Sequence, residues 1–379
     1  MKNTYLLILI FLFGCSNSEF ETLPIGSSET DYLNIIDFSE NQTPKNIVLV
    51  VGDGTGINQI TLSRIVKGGP DHKLAIDQLP INGTSLTHPY GNLITDSAAA
   101  ATAWATGKKT KNKYLSIDHE KNILKTLPEM LYEKGYISGI VATSSITHAT
   151  PAAFFAHIDS RYKEKEIANQ FLNSPINIGL GGGLEFFDIE KASKSHVLLD
   201  RKELLDLDFR SDKKILGLFD KDGIVRSEEK PTQRQMTAFA LQHLSKNIDA
   251  CTGFFLMTEG SQIDWAAHDN DAKKMLIEFD DFDNTVKDLI NFVTNDKNTL
   301  LIITADHETG GLQIMKQNNK NVLIKWGTGS HTGTPVGVYA YGPGAHKFSD
   351  LMDNTDIHYK ILDLISYDNL NESICELYQ

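Results

Sequence analysis

Cysteine is scarce in this chain, with three residues in 379. That excludes a disulfide-dense scaffold, and no Cys-x-x-Cys pair offers a zinc-ribbon site. An excess of positive charge is missing too: 36 Lys and Arg stand against 49 Asp and Glu, a formal balance of −13. This argues against nucleic acid as a partner, because no net basic field is present to neutralise phosphates. It does not exclude a small anionic substrate, since bound metal ions reverse the local sign. Nothing repeats internally, and no Pro- or Ser-rich linker interrupts the chain beyond Pro44. One large domain is the economical expectation.

The first residues read as a targeting segment. Lys2 supplies a thin positive region, and the apolar run over residues 5–13 is too short to span a bilayer. It ends in Leu12-Phe13-Gly14-Cys15, which resembles the lipobox of bacterial lipoproteins. The expected organisation is a signal peptide over residues 1–14, a lipidated Cys15 opening a polar, flexible tether over 15–43, and a single domain over 44–379. The implied location is the cell envelope, as a periplasmic or outer-membrane lipoprotein of a Gram-negative-type bacterium held to the membrane through lipid on Cys15. Cys251 and Cys375 remain in the mature chain. They can pair in an oxidising compartment or stay as two free thiols, and the sequence leaves both open.

Strand and helix patterns alternate from Pro44 onward. Residues 46–51 form a β-branched run typical of a parallel strand buried on both faces. Further strands are predicted over 137–143, 176–180, 253–257, 299–304 and 335–341, with helices over 59–67, 98–106, 125–134, 163–172, 232–247 and 271–294. Met275, Phe279, Phe282, Val286, Leu289, Ile290 and Val293 recur at helical spacing and mark a core stripe in the last of these. The charge-rich stretch over 188–230 is expected to pack peripherally. The fold class is α/β: a three-layer α/β/α domain with a mostly parallel central sheet.

Four segments place ligand-type residues where strands end or helices open, as open α/β sheets place their sites. Asp53 lies in Gly52-Asp53-Gly54-Thr55-Gly56. Thr95-Asp96-Ser97 precedes a run of alanines, so Ser97 opens a helix, where N–H groups and the dipole favour anions. A plain helix cap is the competing reading for that serine. Glu259-Gly260-Ser261-Gln262-Ile263-Asp264-Trp265-Ala266-Ala267-His268 sets Asp264 and His268 at i and i+4 on one helix face, with Glu259 on the loop before them. A carboxylate and an imidazole suit a zinc-like ion, and Glu259 is a harder oxygen ligand. Asp306 and His307 follow the strand over 299–304 and, being adjacent, are expected to diverge toward two metals. His331 precedes the final strand.

The chain resembles the alkaline phosphatase family from about Pro44 to Pro343. The resemblance rests on Val50-Val51-Gly52-Asp53-Gly54, the block from Thr95 to Ala103, His148-Ala149-Thr150-Pro151-Ala152-Ala153, Ala156-His157-Ile158-Asp159-Ser160-Arg161, the Glu259 to His268 stretch, Thr304-Ala305-Asp306-His307-Glu308-Thr309-Gly310-Gly311 and His331-Thr332-Gly333. The combination of His148 and Trp265 looks like the small bacterial members. The resemblance implies Ser97 as nucleophile and Arg161 as a bidentate phosphate clamp. It implies two Zn²⁺ and one Mg²⁺ per subunit. Asp264, His268 and His331 would hold the first zinc, and Asp53, Asp96, Asp306 and His307 would surround the second. Asp53, Thr150 and Glu259 would bind magnesium, with His148 beside that ion directly or through water.

The implied activity is hydrolysis of small phosphate monoesters at alkaline pH through a phosphoserine intermediate, in a homodimer. The alternatives are a phosphodiesterase or nucleotide pyrophosphatase of the same superfamily, and a non-catalytic metal-binding surface lipoprotein. Some family members carry aspartate where His148 stands and lysine where Trp265 stands. An indole brings no positive charge toward phosphate, so substrate and product are expected to be held more weakly. Trp265→Lys should therefore tighten inhibition by inorganic phosphate, and an unchanged inhibition constant would contradict this.

Overall fold

The run predicted as a buried strand becomes the centre of the molecule. In the computed structural model, which describes residues 20–206, 209–211, 213–246 and 251–375, every residue of Asn46–Gly52 is buried. The strands in chain order are β1 (Glu21–Pro24), β2 (Asn46–Gly52), β3 (Ile81–Leu86), β4 (Tyr136–Ser145), β5 (Ile178–Gly182), β6 (His196–Leu198), β7 (Lys214–Leu218) and β8 (Gly253–Gly260). They continue as β9 (Thr299–Thr304), β10 (Glu308–Thr309), β11 (Gln313–Asn318), β12 (Asn321–Lys325), β13 (His331–Thr332), β14 (Val336–Tyr341) and β15 (Leu351–Asp353). Ten of them form one sheet in the order β15-β3-β14-β9-β2-β8-β4-β5-β7-β6. From β9 to β6 all neighbours are parallel, while β14 runs antiparallel to both β9 and β3. The mostly parallel three-layer architecture read from the sequence is the one observed.

Alternation along β2 builds the layers. Ile47, Leu49 and Val51 face a cluster with Ala98, Ala101, Trp104 and Phe154, and Val48 and Val50 face one with Met275, Phe279 and Phe282. The second cluster is supplied by the helix Ala272–Asp296, whose predicted apolar stripe is buried and whose N-cap, Asp271, accepts from the Lys274 N–H. Side chains that alternate across a strand feed both faces at once, so one apolar run anchors two helical layers. The charge-rich region contributes β6 and β7 at the sheet's edge.

One expectation changes and one open question closes. Residues 20–43 are not a tether. β1 pairs antiparallel with β12, Leu23 is buried, and Leu33, Ile35, Ile36 and Phe38 pack against the core. The Ile36 N–H donates to the Tyr341 hydroxyl at 3.0 Å. Apolar residues spaced through a polar segment outweigh its average composition. The signal peptide and Cys15 lie outside the described residues. Cys251 and Cys375, left open by the sequence, form a disulfide that ties the start of β8 to the C-terminal segment across 124 positions. Among the described residues no helix is long and apolar enough to cross a membrane.

Candidate active site

The parallel register brings three strand ends abreast. Val51 stands opposite Glu259 on β8 and opposite Thr304 on β9, so Asp53 and Asp306 emerge level with each other, two residues beyond the height of Glu259. Glu259 belongs to β8 itself and not to a following loop, because the strand runs three residues beyond the apolar stretch that announced it. Gly54 follows Asp53 at φ +68°, and a Cβ there would sit 2.8 Å from Asp264 and from the Thr309 hydroxyl. Only glycine meets both demands, since left-handed backbone and close approach each exclude a side chain. The Gly54 N–H donates to Asp306 Oδ1 at 3.0 Å, locking the β2 turn to the β9 turn.

Ser97 begins the helix Ser97–Thr106, in which every residue is buried. Its alanines let the helix seat close to the sheet and hold Ser97, 2% exposed, with Oγ 3.4 Å from His307 Nε2. The helix cap is not Ser97 but Asp96, whose Oδ1 accepts from the Ala99 N–H at 3.0 Å. Asp96 Oδ2 accepts from the Lys113 N–H and from Arg161 Nη1, at 2.9 and 3.3 Å. This corrects the expectation that Asp96 joins the metal ligands: both its oxygens are taken by N–H donors. Arg161 is held on its other side by His148 Nε2, 3.1 Å from Nη2.

Two groups of side chains converge closely enough to hold an ion each, Asp53 with Asp306 and His307, and Asp264 with His307 and His331. Asp306 and His307 do not diverge as expected. His307 Nε2 lies 2.9 Å from Asp306 Oδ2, so the pair closes on one point. His268 joins from the helix Gln262–His268, its Nε2 3.0 Å from His331 Nε2 and 3.3 Å from Asp264 Oδ2. The far nitrogens explain why. Nδ1 of His268 faces the Gly329 carbonyl at 2.8 Å and Nδ1 of His331 faces the Thr95 carbonyl at 2.9 Å. A carbonyl accepts only, so each Nδ1 carries a proton, which leaves each Nε2 as the nitrogen that can turn a lone pair toward a metal.

The buried polar atoms here lack partners. Both oxygens of Asp53, Asp306 Oδ2, Glu259 Oε1, Thr150 Oγ1 and His148 Nδ1 make no hydrogen bond. Buried polar groups are almost always satisfied, so such a concentration fits the ligand set of a cation. The electrostatics agree. Burial, then the neighbouring Asp306, Asp264 and Glu259, drives the Asp53 carboxyl far above the usual range. Burial pushes Glu259 up to about 7. Asp264 lifts His268 to about 9, whereas burial and then Arg161 push His148 down to about 3 and keep it neutral. The residues present therefore fit divalent ions, which would let all the carboxylates ionise together. Trp265 meets the His148 ring edge-on, with centroids 5.7 Å apart, and a Cβ on Gly223 would collide with its ring.

The sequence matches the alkaline phosphatase family over residues 44–323. This chain belongs to that family. Alkaline phosphatase 3 of Bacillus subtilis is 33% identical, covering 85% of this chain and 89% of its own length. The alkaline phosphatase of Escherichia coli K12 is 31% identical, with 85% and 86% covered. The alkaline phosphatase of the Antarctic bacterium TAB5 superposes with a TM-score of 0.78 at 32% identity, covering 86% of this chain and 98% of that one. Variants of that enzyme with a histidine replaced by aspartate or glutamate carry Mg in a site named M3. The same fold carries the divalent-metal clusters beside a buried serine in this alkaline phosphatase.

Residues that carried no metal-ligand signature complete the site. Thr309 donates its hydroxyl to Asp264 Oδ1 and lies 3.2 Å from His307 Nδ1. Ser261 donates to Glu259 Oε2 at 2.5 Å. Hydroxyls like these are common at turns, so only the surrounding block could have singled out Thr309. The raised pKa values carry a sign. Below about pH 7 a proton occupies Glu259 in the metal-free protein, and an incoming cation must displace it. Metal affinity should thus fall by about tenfold or more per pH unit as pH drops below 7, because His268, raised to about 9, must release a proton on binding as well. Competition against a chelator at pH 6 and pH 8 measures this, and equal affinities would contradict it.

Proposed function

We propose that this alkaline phosphatase hydrolyses phosphate monoesters through a phosphoseryl intermediate on Ser97, with two Zn²⁺ and one Mg²⁺ per subunit. The observation that carries the reading is the set of unpartnered carboxylates crowding a serine at a helix N-terminus. Carboxylate oxygen with imidazole nitrogen suits zinc at Asp264, His268 and His331, and at Asp53, Asp306 and His307. The oxygen donors of Asp53, Thr150 and Glu259 suit magnesium. His148 is neutral beside this third set and turns its Nε2 lone pair to Arg161, so its Nδ1 carries the proton and would reach a third ion through water.

When bound, such ions neutralise the phosphate and lower the pKa of coordinated hydroxyls. The protein's own residues do the rest. Arg161, braced by Asp96 and His148, presents its fork to two phosphate oxygens. The Ser97 oxygen attacks phosphorus in line with the leaving alcohol, and the helix N–H groups stabilise the negative charge. The phosphoserine bond then breaks by attack of water, which returns the Ser97 hydroxyl and releases inorganic phosphate.

The lipid on Cys15, a place in the cell envelope and a homodimer complete the proposal, resting on the leader's motif and the family likeness. Because β1 is docked, only residues 16–19 separate Cys15 from the first described residue, Phe20. The direct test is phosphate release with and without chelator, beside Ser97→Ala. Chelation should abolish turnover until metal is restored, and Ser97→Ala should cut kcat by about three orders of magnitude or more. Activity surviving in the variant would overturn the nucleophile, and faster turnover of bis-nitrophenyl than of mono-nitrophenyl phosphate would favour the diesterase reading.

A further inference from the structure

Two glycine-rich loops border the first metal set, one carrying His307 and the other leading directly into His331. One runs from Ala305 to Gly311 after β9, the other from Trp326 to Ser330 between β12 and β13. Backbone bonds join them: Gly310 N–H donates to the Ser330 carbonyl at 3.0 Å, and Gly327 and Thr328 N–H donate to the Gly310 carbonyl at 2.9 and 3.0 Å. Thr309 pairs with His331 across β10 and β13. The second loop also sets His268, through the Gly329 carbonyl. A displacement of residues 327–331 therefore moves His268 and His331 together.

Glycine loops are costly to order and offer few side chains to pack. Here an aromatic ring supplies the packing. The Trp326 indole lies against Gly310, where φ is +90° and a Cβ would come within 2.5 Å of Cε3. Its Nε1–H donates to Glu21 Oε2 at 3.3 Å. Glu21 is itself fixed by strand pairing, opposite Ile324, and the pairing continues to Pro24 opposite Asn321. Beyond β1, Gly26 N–H donates to the Ile65 carbonyl at 3.0 Å, tying the same segment to the helix Ile57–Gly68. The N-terminal strand thus reaches the two histidine-bearing loops through one indole.

We infer that Trp326, seated by Glu21 on β1, is a positioning residue that fixes the spacing of His268 and His331 and so sets affinity for the cation they share with Asp264. The inference rests on the metal reading above and deepens it. Neither residue touches substrate. Metal–ligand distances tolerate about 0.2 Å, so a small drift of the 327–331 loop weakens binding without unfolding the domain. Supporting contacts of this kind typically change metal affinity about 10-fold or more when removed.

The test uses the full-length holoenzyme, with Zn²⁺ content and affinity read by competition against a chelator. Trp326→Ala is expected to bind zinc about tenfold more weakly. Its lost hydrolysis should return in excess Zn²⁺ with KM unchanged, which a general folding defect would not show. Glu21→Gln keeps an acceptor oxygen and should match wild type, whereas Glu21→Ala should fall between wild type and Trp326→Ala. Should Trp326→Ala fail to fold, Trp326→Phe keeps a ring, loses the N–H and should still bind zinc more weakly. Wild-type zinc affinity in the tryptophan variants, or activity that zinc does not restore, overturns the inference. Wild-type protein that binds zinc without hydrolysing a monoester would overturn the proposed activity alone, leaving the zinc comparison intact.

Discussion

Asp53, Glu259, Asp264 and Asp306 are nearly or fully buried within one small volume, and among the described residues no lysine or arginine is hydrogen-bonded or ion-paired with any of them, Arg161 lowering the Glu259 pKa only through its charge. Charges so placed cannot all ionise, because burial and mutual repulsion both favour the protonated form. This is the constraint on which the remaining architecture depends. In the metal-free protein the imidazoles of His268 and His307, both shifted toward the protonated form, offset only part of it. Bound divalent cations resolve the conflict, and with the three ions proposed above the pocket would be net positive, which suits a phosphate dianion inside an acidic protein.

The fold serves that constraint by aligning backbones before side chains. β2 lies between β8 and β9 in parallel register, so three turns emerge at the same height. Gly54 allows two of those turns to interlock, and an all-buried alanine helix brings Ser97 to the same place. Arg161 arrives from the far side, steered by Asp96 and His148. The cations are therefore the last part of a frame whose geometry the backbone has already set.

Much of this was legible in the residues alone. The central strands, the long helix and its stripe follow from periodicity, and the strand-end ligands follow from residue type and position. Errors arose where context overrode a local signal. Asp96 has the right chemistry for a ligand, but its place before a helix commits it to N–H donors. Adjacent Asp306 and His307 were expected to diverge, yet the turn after β9 curls them together. β1 and β3 escaped notice because their sequences are polar or short, and their stability comes from strand partners distant in the chain. Thr309 and Trp326 act through groups that only the folded chain brings near.

Asp53 reports the charge deficit most directly. Its two oxygens have no partner, and its carboxyl is the most strongly opposed by its neighbours. The decisive measurement is the thermal midpoint of wild type and Asp53→Asn at pH 8, each with its ions and after complete chelation. The amide should destabilise the metal-loaded protein, where the carboxylate holds cations, and stabilise the metal-free one, where the carboxylate meets only repulsion. Destabilisation in both states would contradict the claim that the site is built around cations the protein alone cannot replace.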